Sequence, residues 1–181
     1  MMQIGFHRNA FVAAALCLSV LGPFSARADS VFGVGLGLSR EYSLGSRDIT
    51  YTRVGPILYG RAGLHAGTLE LSVTNARFDR FKAPGVQGAI LYGPGMRTGD
   101  FELALQTGLG ASIMVYPSSH FPIPILYVEV PVRATVLWNP TSMLGLGFAL
   151  TGFHGYDMIL HRWFQPRAGG QLMLVIGAFD Q

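Results

Sequence analysis

The chain has 181 residues, of which 50% are hydrophobic and 13% are charged, whereas about 25% of the residues of a soluble domain usually carry charge. Its formal net charge is +3. Arg8 and Arg27 lie in a leader-like segment, however, and the remaining +1 gives no support to nucleic-acid binding. The single cysteine, Cys17, lies in the same segment, so the rest of the chain needs no disulfide.

Residues 1–28 have the pattern of a cleavable secretory signal peptide. A basic start precedes an apolar run from Ala10 to Leu21, and Ala26 and Ala28 supply the small residues that a signal peptidase requires. The run is too short to cross a bilayer of about 30 Å as a helix, which argues against a membrane anchor. We therefore expect export, cleavage after Ala28, and one mature domain over residues 29–181.

Eight segments of the mature chain alternate apolar residues with small or polar ones. In the first, Phe32, Val34, Leu36 and Leu38 are separated by glycine and serine. Successive side chains of a strand point to opposite faces, so each segment predicts a strand with one apolar face. The facing of 86–97 is ambiguous. In chain order the predicted strands cover residues 31–40, 49–61, 67–78, 86–97, 100–116, 125–138, 143–155 and 166–179.

The length of these segments favours a membrane barrel over a soluble β-sandwich. Several have 12 residues or more, and a strand tilted across a bilayer needs about 9 to 11 in the hydrocarbon alone. The small face is rich in glycine, as a narrow interior requires. The sequence therefore predicts an all-β fold, an eight-stranded antiparallel transmembrane β-barrel of the outer-membrane type.

The connections between the segments alternate in length. Residues 41–48, 79–85, 117–124 and 156–165 are long, whereas 62–66, 97–100 and 139–142 are short. Outer-membrane barrels have short periplasmic turns and longer outer loops, which predicts both termini on the periplasmic side.

Aromatic residues near the ends of the segments are interpreted as two interfacial belts. The predicted outer belt contains Tyr42, Tyr51, Phe78, Phe81, Tyr116, Phe121, Tyr156, Trp163 and Phe164, and the inner one contains Tyr59, Phe101, Trp138 and Phe179.

Charged residues on the small face are the first candidate site. Arg53, Glu70, Glu102, Glu129 and Arg133 are expected to face the lumen, and buried charges are costly unless they pair. A barrel of eight strands is just wide enough for side chains to fill, which favours an ion-pair network that plugs the lumen. A narrow pore with these groups as its selectivity ring is the alternative.

Histidines in two outer loops are the second candidate. Ser119 and His120 lie in one loop, and His154 and Asp157 lie at the start of another. A serine, a histidine and a carboxylate can form a nucleophilic triad, as in lipid A hydrolases, but the spacing here lacks the His-x-Ser-Asn run that deacylases of the PagL type show. Solvated loop side chains are therefore the favoured interpretation.

Basic residues of the outer loops are the third candidate. Arginine matches phosphate oxygens, and the outer leaflet of such membranes carries phosphorylated lipopolysaccharide, although solvated loop charges are an equal alternative. The candidates for lipopolysaccharide contact are Arg47, Arg77, Arg80, Lys82 and Arg162, in a basic rim that also includes Arg40 and Arg167. No Cys/His spacing predicts a metal site, and no glycine motif opens a helix, so we expect no metal and no cofactor.

The opening of the mature chain resembles the MltA-interacting protein (MipA/OmpV-like) family. The similarity lies in the run Gly33 to Gly37, in the loop from Arg40 to Ser46, and in the Pro-containing run Gly55 to Arg61. The extra Leu44 departs from the Tyr-x-Gly-Ser motif of that loop. The resemblance implies an outer-membrane scaffold or uptake role and carries over no catalytic residue.

The end of the chain predicts the partner that assembles it. Barrels resembling this one commonly end in a phenylalanine that the barrel assembly machinery reads, whereas Phe179 is followed by two further residues. The run from Arg167 to Leu174 partly fits the same signal at an internal position.

These patterns favour a non-enzymatic barrel of the Gram-negative cell outer membrane, exported through the periplasm, with a structural, scaffold or surface-binding role. Its expected partners are outer-membrane lipid, lipopolysaccharide, the assembly machinery, and periplasmic or cell-wall proteins. The alternatives are a lipid A-modifying acyl hydrolase that uses the loop histidines, and a narrow small-solute channel.

Overall fold

The computed structural model describes residues 30–45, 49–78, 81–116, 122–159, 161–163 and 166–179. The predicted signal peptide lies outside these residues. None of the described residues belongs to a helix long and apolar enough to span a membrane.

Nine strands make up the described fold, and eight of them are long. They are β1 (Ser30–Ser43), β2 (Ile49–Ala62), β3 (His65–Phe78), β4 (Phe81–Thr98), β5 (Phe101–Tyr116), β6 (Ile123–Trp138), β7 (Leu144–Asp157), β8 (Arg162–Trp163) and β9 (Arg167–Ala178). The two-residue β8 pairs with the end of β7. The eight long strands are those that the alternation predicts.

The long strands close into an antiparallel barrel. Each pairs with the next along the chain, β7 pairs with β9, and β9 pairs with β1. Cα partners followed once around the sheet lead from Phe32 back to Tyr42 on the same strand, a stagger of ten residues. Such a stagger tilts the strands and sets the barrel's width, so the predicted eight-stranded antiparallel barrel is confirmed.

The two ends of the barrel differ. At the end we call the turn end, β2 joins β3 and β4 joins β5 through two residues each, and β6 joins β7 through residues 139–143. Gly63 and Gly99 open the two tight turns with φ of 58°, as the first central residue of a type II′ turn requires. The opposite end, which we call the loop end, carries the other connections, of which the one between β3 and β4 also has only two residues.

The alternation places apolar side chains outside and small or polar ones inside. Large apolar residues such as Leu36, Ile90, Leu109, Leu150 and Leu172 are more than half exposed on the outer wall. In β4 the even-numbered residues face out and the odd-numbered residues face in, which settles the facing that the sequence left ambiguous. An apolar outer wall is what a barrel in a lipid bilayer requires.

Two details of the sequence prediction are wrong. The connection predicted over residues 79–85 is shorter, because β3 continues to Phe78 and β4 begins at Phe81. Five aromatic residues assigned to interfacial belts point into the lumen instead, because their positions have the inward parity of their strands. They are Tyr51, Tyr59, Phe78, Tyr116 and Phe179.

Candidate functional site

Four charged side chains form a compact group in the lumen near the loop end. Arg53 Nη2 lies 2.8 Å from Glu41 Oε2 and 3.9 Å from Glu129 Oε2. Arg167 forms an ion pair with Glu129 and lies 4.0 Å from Glu41. All four side chains are buried, so each charge is compensated by neighbours and not by water.

Neutral and aromatic groups complete this arrangement. Gln87 Nε2 and Ser112 Oγ donate to the two oxygens of Glu129 at 2.6 and 2.9 Å. The guanidinium carbon of Arg53 lies 4.5 Å from the ring centroid of Phe153, and that of Arg167 lies 4.3 Å from the Tyr51 ring. Ring faces attract cations, so both arginines are held from two sides.

A second group lies below the first, toward the turn end. Arg133 forms an ion pair with Glu70, which also accepts a hydrogen bond from Gln171. Arg133 Nε donates to Thr151 Oγ1 at 3.2 Å. A third pair, Arg61 with Glu102, is buried beside the turn end, where Arg61 Nη1 also donates to the backbone oxygen of Gly63 at 2.6 Å.

The structure places all five of the predicted residues in the lumen. Three further charged residues, which the sequence did not indicate, also lie there. Glu41 and Arg61 were not predicted to face the lumen, and the assignment of Arg167 to the outer rim is wrong. The missing signal was parity: Glu41 continues the inward positions of Gly37 and Ser39 once β1 is extended to Ser43. With these additions, four glutamates face four arginines, so the charges of these groups cancel.

Apolar layers close the lumen on both sides of the first two charged groups. The turn-end seal is a buried cluster that includes Ile57, Tyr59, Leu137, Val175 and Phe179. The loop-end seal consists of Tyr51, Ala76, Ala83, Met114 and Tyr127, with Ile49, Phe78, Tyr116 and Ile125 packed against it.

Along β2 and β6, inward apolar residues of the seals and inward charged residues follow one another. The inward residues of β6 run from Tyr127 through Glu129 and Arg133 to Leu137. A cavity of about 10 Å³ below the loop-end seal is lined by Tyr51, Met114, Tyr127, Glu129, Gly155 and Arg167. Such a volume holds one water molecule at most, so this space offers no room for a solute.

The outer wall carries a polar band at the loop end of β1 to β4. Arg77 of β3 and Lys82 of β4 are Cα partners, both exposed, and Arg40 is exposed on β1. The remaining members are neutral residues that continue the same rows. The complete loop-end band is Arg40, Tyr42, Thr50, Thr52, Asn75, Arg77 and Lys82.

The candidate catalytic residues do not form a triad among the described residues. His154 points outward and stacks on Trp163, with ring centroids 4.8 Å apart. Asp157 points inward, where Oδ1 accepts a hydrogen bond from the amide of Ile159 at 2.8 Å. The two side chains thus lie on opposite faces of β7. Ser119 and His120 lie outside the described residues.

Three of the candidates for lipopolysaccharide contact cannot be placed fully. Arg47 and Arg80 lie outside the described residues, and of Arg162 only the backbone position in β8 is described. Within the described ranges, no group of three or more His, Cys, Asp or Glu residues is arranged to hold a metal ion.

Comparisons with known proteins identify the fold. No protein-family model and no curated protein sequence matches the chain, so the resemblance to the MipA/OmpV-like family is not confirmed. Among solved structures the chain is similar to Ail, the attachment invasion locus protein of Yersinia pestis, with 14% identity and a TM-score of 0.55. It is also similar to Neisserial surface protein A, with 10% identity and a TM-score of 0.56.

Both matches cover 83% of this chain and 97% of the other protein. A second structure of Ail, bound to the heparin analogue sucrose octasulfate, matches with 13% identity and a TM-score of 0.56. The chain therefore has the fold of the small outer-membrane barrels, with an interior filled by its own side chains.

Proposed function

We propose that the chain is a non-enzymatic barrel of the Gram-negative outer membrane, and that its role is structural or surface-binding. The observation that carries the proposal is the filled lumen, in which Arg53, Arg133 and Arg167 lie with Glu41, Glu70 and Glu129 between two apolar seals, while Arg61 pairs with Glu102 at the turn end. A packed interior leaves the outer wall and the two ends of the barrel as the surfaces available to a partner.

The proposal includes the address and orientation of the protein. Residues 1–28 are removed on export, the assembly machinery inserts the barrel, and the loop end faces outside. The two longest connections, residues 117–122 and the stretch from β7 to β9 that contains β8, both lie at the loop end and support this orientation, because outer loops of such barrels are longer than periplasmic turns. Periplasmic or cell-wall proteins would meet the turn end.

Lipopolysaccharide is the partner that the loop end fits best. On the described parts of the eight long strands, the outward-facing charged residues are Arg40, Arg77 and Lys82, all cationic and all near the loop end. The loop residues Arg47, Arg80 and Arg162 would add to this charge. Phosphate groups of the outer leaflet are the natural counterions of such a surface.

The test of lipopolysaccharide contact compares two bilayers. The purified barrel is refolded in phospholipid bilayers with and without lipopolysaccharide, and its unfolding temperature is read from heat-modifiable migration on a gel. A partner that binds the folded state stabilises it, so lipopolysaccharide should raise the unfolding temperature. Equal unfolding temperatures in the two bilayers would contradict the contact.

A second measurement tests the absence of an enzymatic role. Lipid A is extracted from cells that express the wild-type protein, the His154→Ala variant or neither, and is analysed by mass spectrometry. We expect three identical acylation patterns, since His154 and Asp157 face opposite sides of the wall. A pattern changed by the wild type and restored in the variant would overturn the non-enzymatic proposal.

A further inference from the structure

The loop-end band is confined to one half of the barrel. Cα partners link Tyr42 to Thr50, Thr50 to Arg77, and Arg77 to Lys82 in one continuous row across β1 to β4. A second row, closer to the middle of the wall, links Arg40, Thr52 and Asn75. The band thus presents cations, hydroxyls and an amide side by side.

The described outward side chains of the other half of the same end are apolar or aromatic, with His154 stacked on Trp163 among them. The outward residues at the loop ends of β5 and β6 include Ile113, Leu126 and Val128, and β7 and β8 contribute Tyr156 and Trp163. Two different chemistries therefore share the loop-end rim.

The central pair of the band, Arg77 and Lys82, is electrostatically unfavourable by itself. Like charges directly opposite each other on neighbouring strands destabilise a sheet. The described outward positions of the eight long strands hold no acidic residue, because Glu41 and Glu70 of the same strands face the lumen, and Asp79 of the connection between β3 and β4 lies outside the described residues. An anion from outside the barrel would convert the repulsion into two charge-assisted contacts.

We propose that the band is a phosphate-binding site for lipopolysaccharide, and that lipopolysaccharide docks on this half of the barrel. Arg77 and Lys82 bridge one phosphoryl group from two sides. Arg40, on the far side of β2, engages a second, while Thr50 and Thr52 offer hydroxyl donors between the two. This inference rests on the proposed lipopolysaccharide contact and adds its chemistry and its location.

Photo-crosslinking in defined bilayers tests both additions. A photoreactive residue replaces Thr50 in the band or Val128 in the apolar half. Each labelled barrel is then refolded under three conditions. These are a bilayer with lipopolysaccharide, a bilayer with the same lipopolysaccharide after removal of its phosphates, and a phospholipid bilayer with inorganic phosphate. We expect an adduct at position 50, a weak one at position 128, and a loss of the first when the phosphates are removed.

Variants of the central pair supply the matched comparison. Arg77→Gln combined with Lys82→Gln should weaken lipopolysaccharide binding at position 50 by at least about tenfold, since a single contact to a charged group is worth roughly that much. Arg97→Gln, which removes a cation at the turn end, should leave the adduct unchanged. If the double variant does not fold by gel migration, Lys82→Gln alone replaces it.

The outcomes separate this inference from the broader proposal. Equal adducts at both positions would overturn the confinement to one half, and equal adducts with dephosphorylated lipopolysaccharide would overturn the phosphate chemistry, although lipopolysaccharide contact would stand in both cases. Stabilisation by inorganic phosphate to the same extent as by lipopolysaccharide would show a general anion site and overturn the lipid assignment. Absence of any adduct would contradict the proposed contact itself.

Discussion

The carboxylate of Glu129 lies at the centre of the charged layer near the loop end. It accepts hydrogen bonds from Gln87 and Ser112 and pairs with Arg167, while Arg53 approaches to 3.9 Å. Because these groups have little access to water, the loss of one charge leaves its partners uncompensated. We therefore expect the loss of the Glu129 charge to lower the free energy of unfolding strongly.

We predict that Glu129→Gln lowers the free energy of unfolding by about 3–5 kcal/mol, the range observed when one member of a buried ion pair is removed. The measurement is urea unfolding of the refolded barrel, followed by tryptophan fluorescence. The double variant Glu129→Gln/Arg167→Gln should be less destabilised than the sum of the two single variants. Additive losses would show that the two side chains do not interact.

Glycines that face the lumen and glycines that face outward differ in the space around them. A Cβ atom built on Gly108, which faces the lumen, would lie 1.8 Å from the backbone oxygen of Ile90. A Cβ on Gly88, which faces outward, would find its nearest neighbour at 3.5 Å, in the Leu71 side chain. We predict that Gly108→Ala reduces the folded yield severely and that Gly88→Ala does not. Gel migration after refolding measures both, and equal yields would contradict the prediction.

The sequence predicted the facing of most residues but not of those near strand ends. Arg53, Glu70, Glu129 and Arg133 lie inside alternating runs and Glu102 lies near the start of one, and the structure places all five in the lumen. Glu41 and Arg167 lie where the alternation weakens, and a loop assignment concealed their parity. Which glutamate pairs with which arginine depends on the stagger between strands, and no single strand encodes that stagger.

At the scale of the element, β4 shows how a turn-like sequence can be a strand. The run Ala83-Pro84-Gly85 is typical of a loop, yet it continues β4 and pairs with β3. The described pairing of β4 with β5 begins only at Gly85. Pro84 therefore occupies a position where its missing N–H is not needed by β5, as expected for proline at a sheet edge.

The tight turn between β4 and β5 gives a prediction at the same scale. Gly99 has φ of 58°, a conformation that costs L-residues roughly 1–2 kcal/mol and that asparagine tolerates better. Gly99→Val should therefore lower the free energy of unfolding by about 1–2 kcal/mol, and Gly99→Asn by less. Urea unfolding compares the two variants, and a valine variant as stable as the asparagine one would contradict the role of the backbone conformation.

For the whole molecule, the sequence predicted that the barrel closes. It predicted only part of the set of side chains that fill the lumen. The number of long alternating segments and their apolar outer faces predicted eight strands, and a closed barrel is the arrangement that leaves no unpaired edge in a bilayer. The seals escaped sequence reasoning because tyrosines at strand ends also suit an interfacial belt. The parity of each position decides between the two locations, and Tyr51 and Tyr127 both have the inward parity of their strands.

The layered lumen leads to a prediction about conduction. Each seal closes the lumen independently, so an ion path requires the removal of both. We expect the wild-type barrel to show no single-channel steps in planar bilayers. Tyr59→Ala/Leu137→Ala opens the turn-end seal alone, and Tyr51→Ala/Tyr127→Ala opens the loop-end seal alone. Neither of these double variants should show steps. Only the variant with all four substitutions should conduct, because water can then reach the charged layer from both sides. Gel migration verifies that every variant is folded. Steps from the folded wild type would show that the seals open spontaneously, and would favour a channel over the packed, non-conducting barrel proposed above.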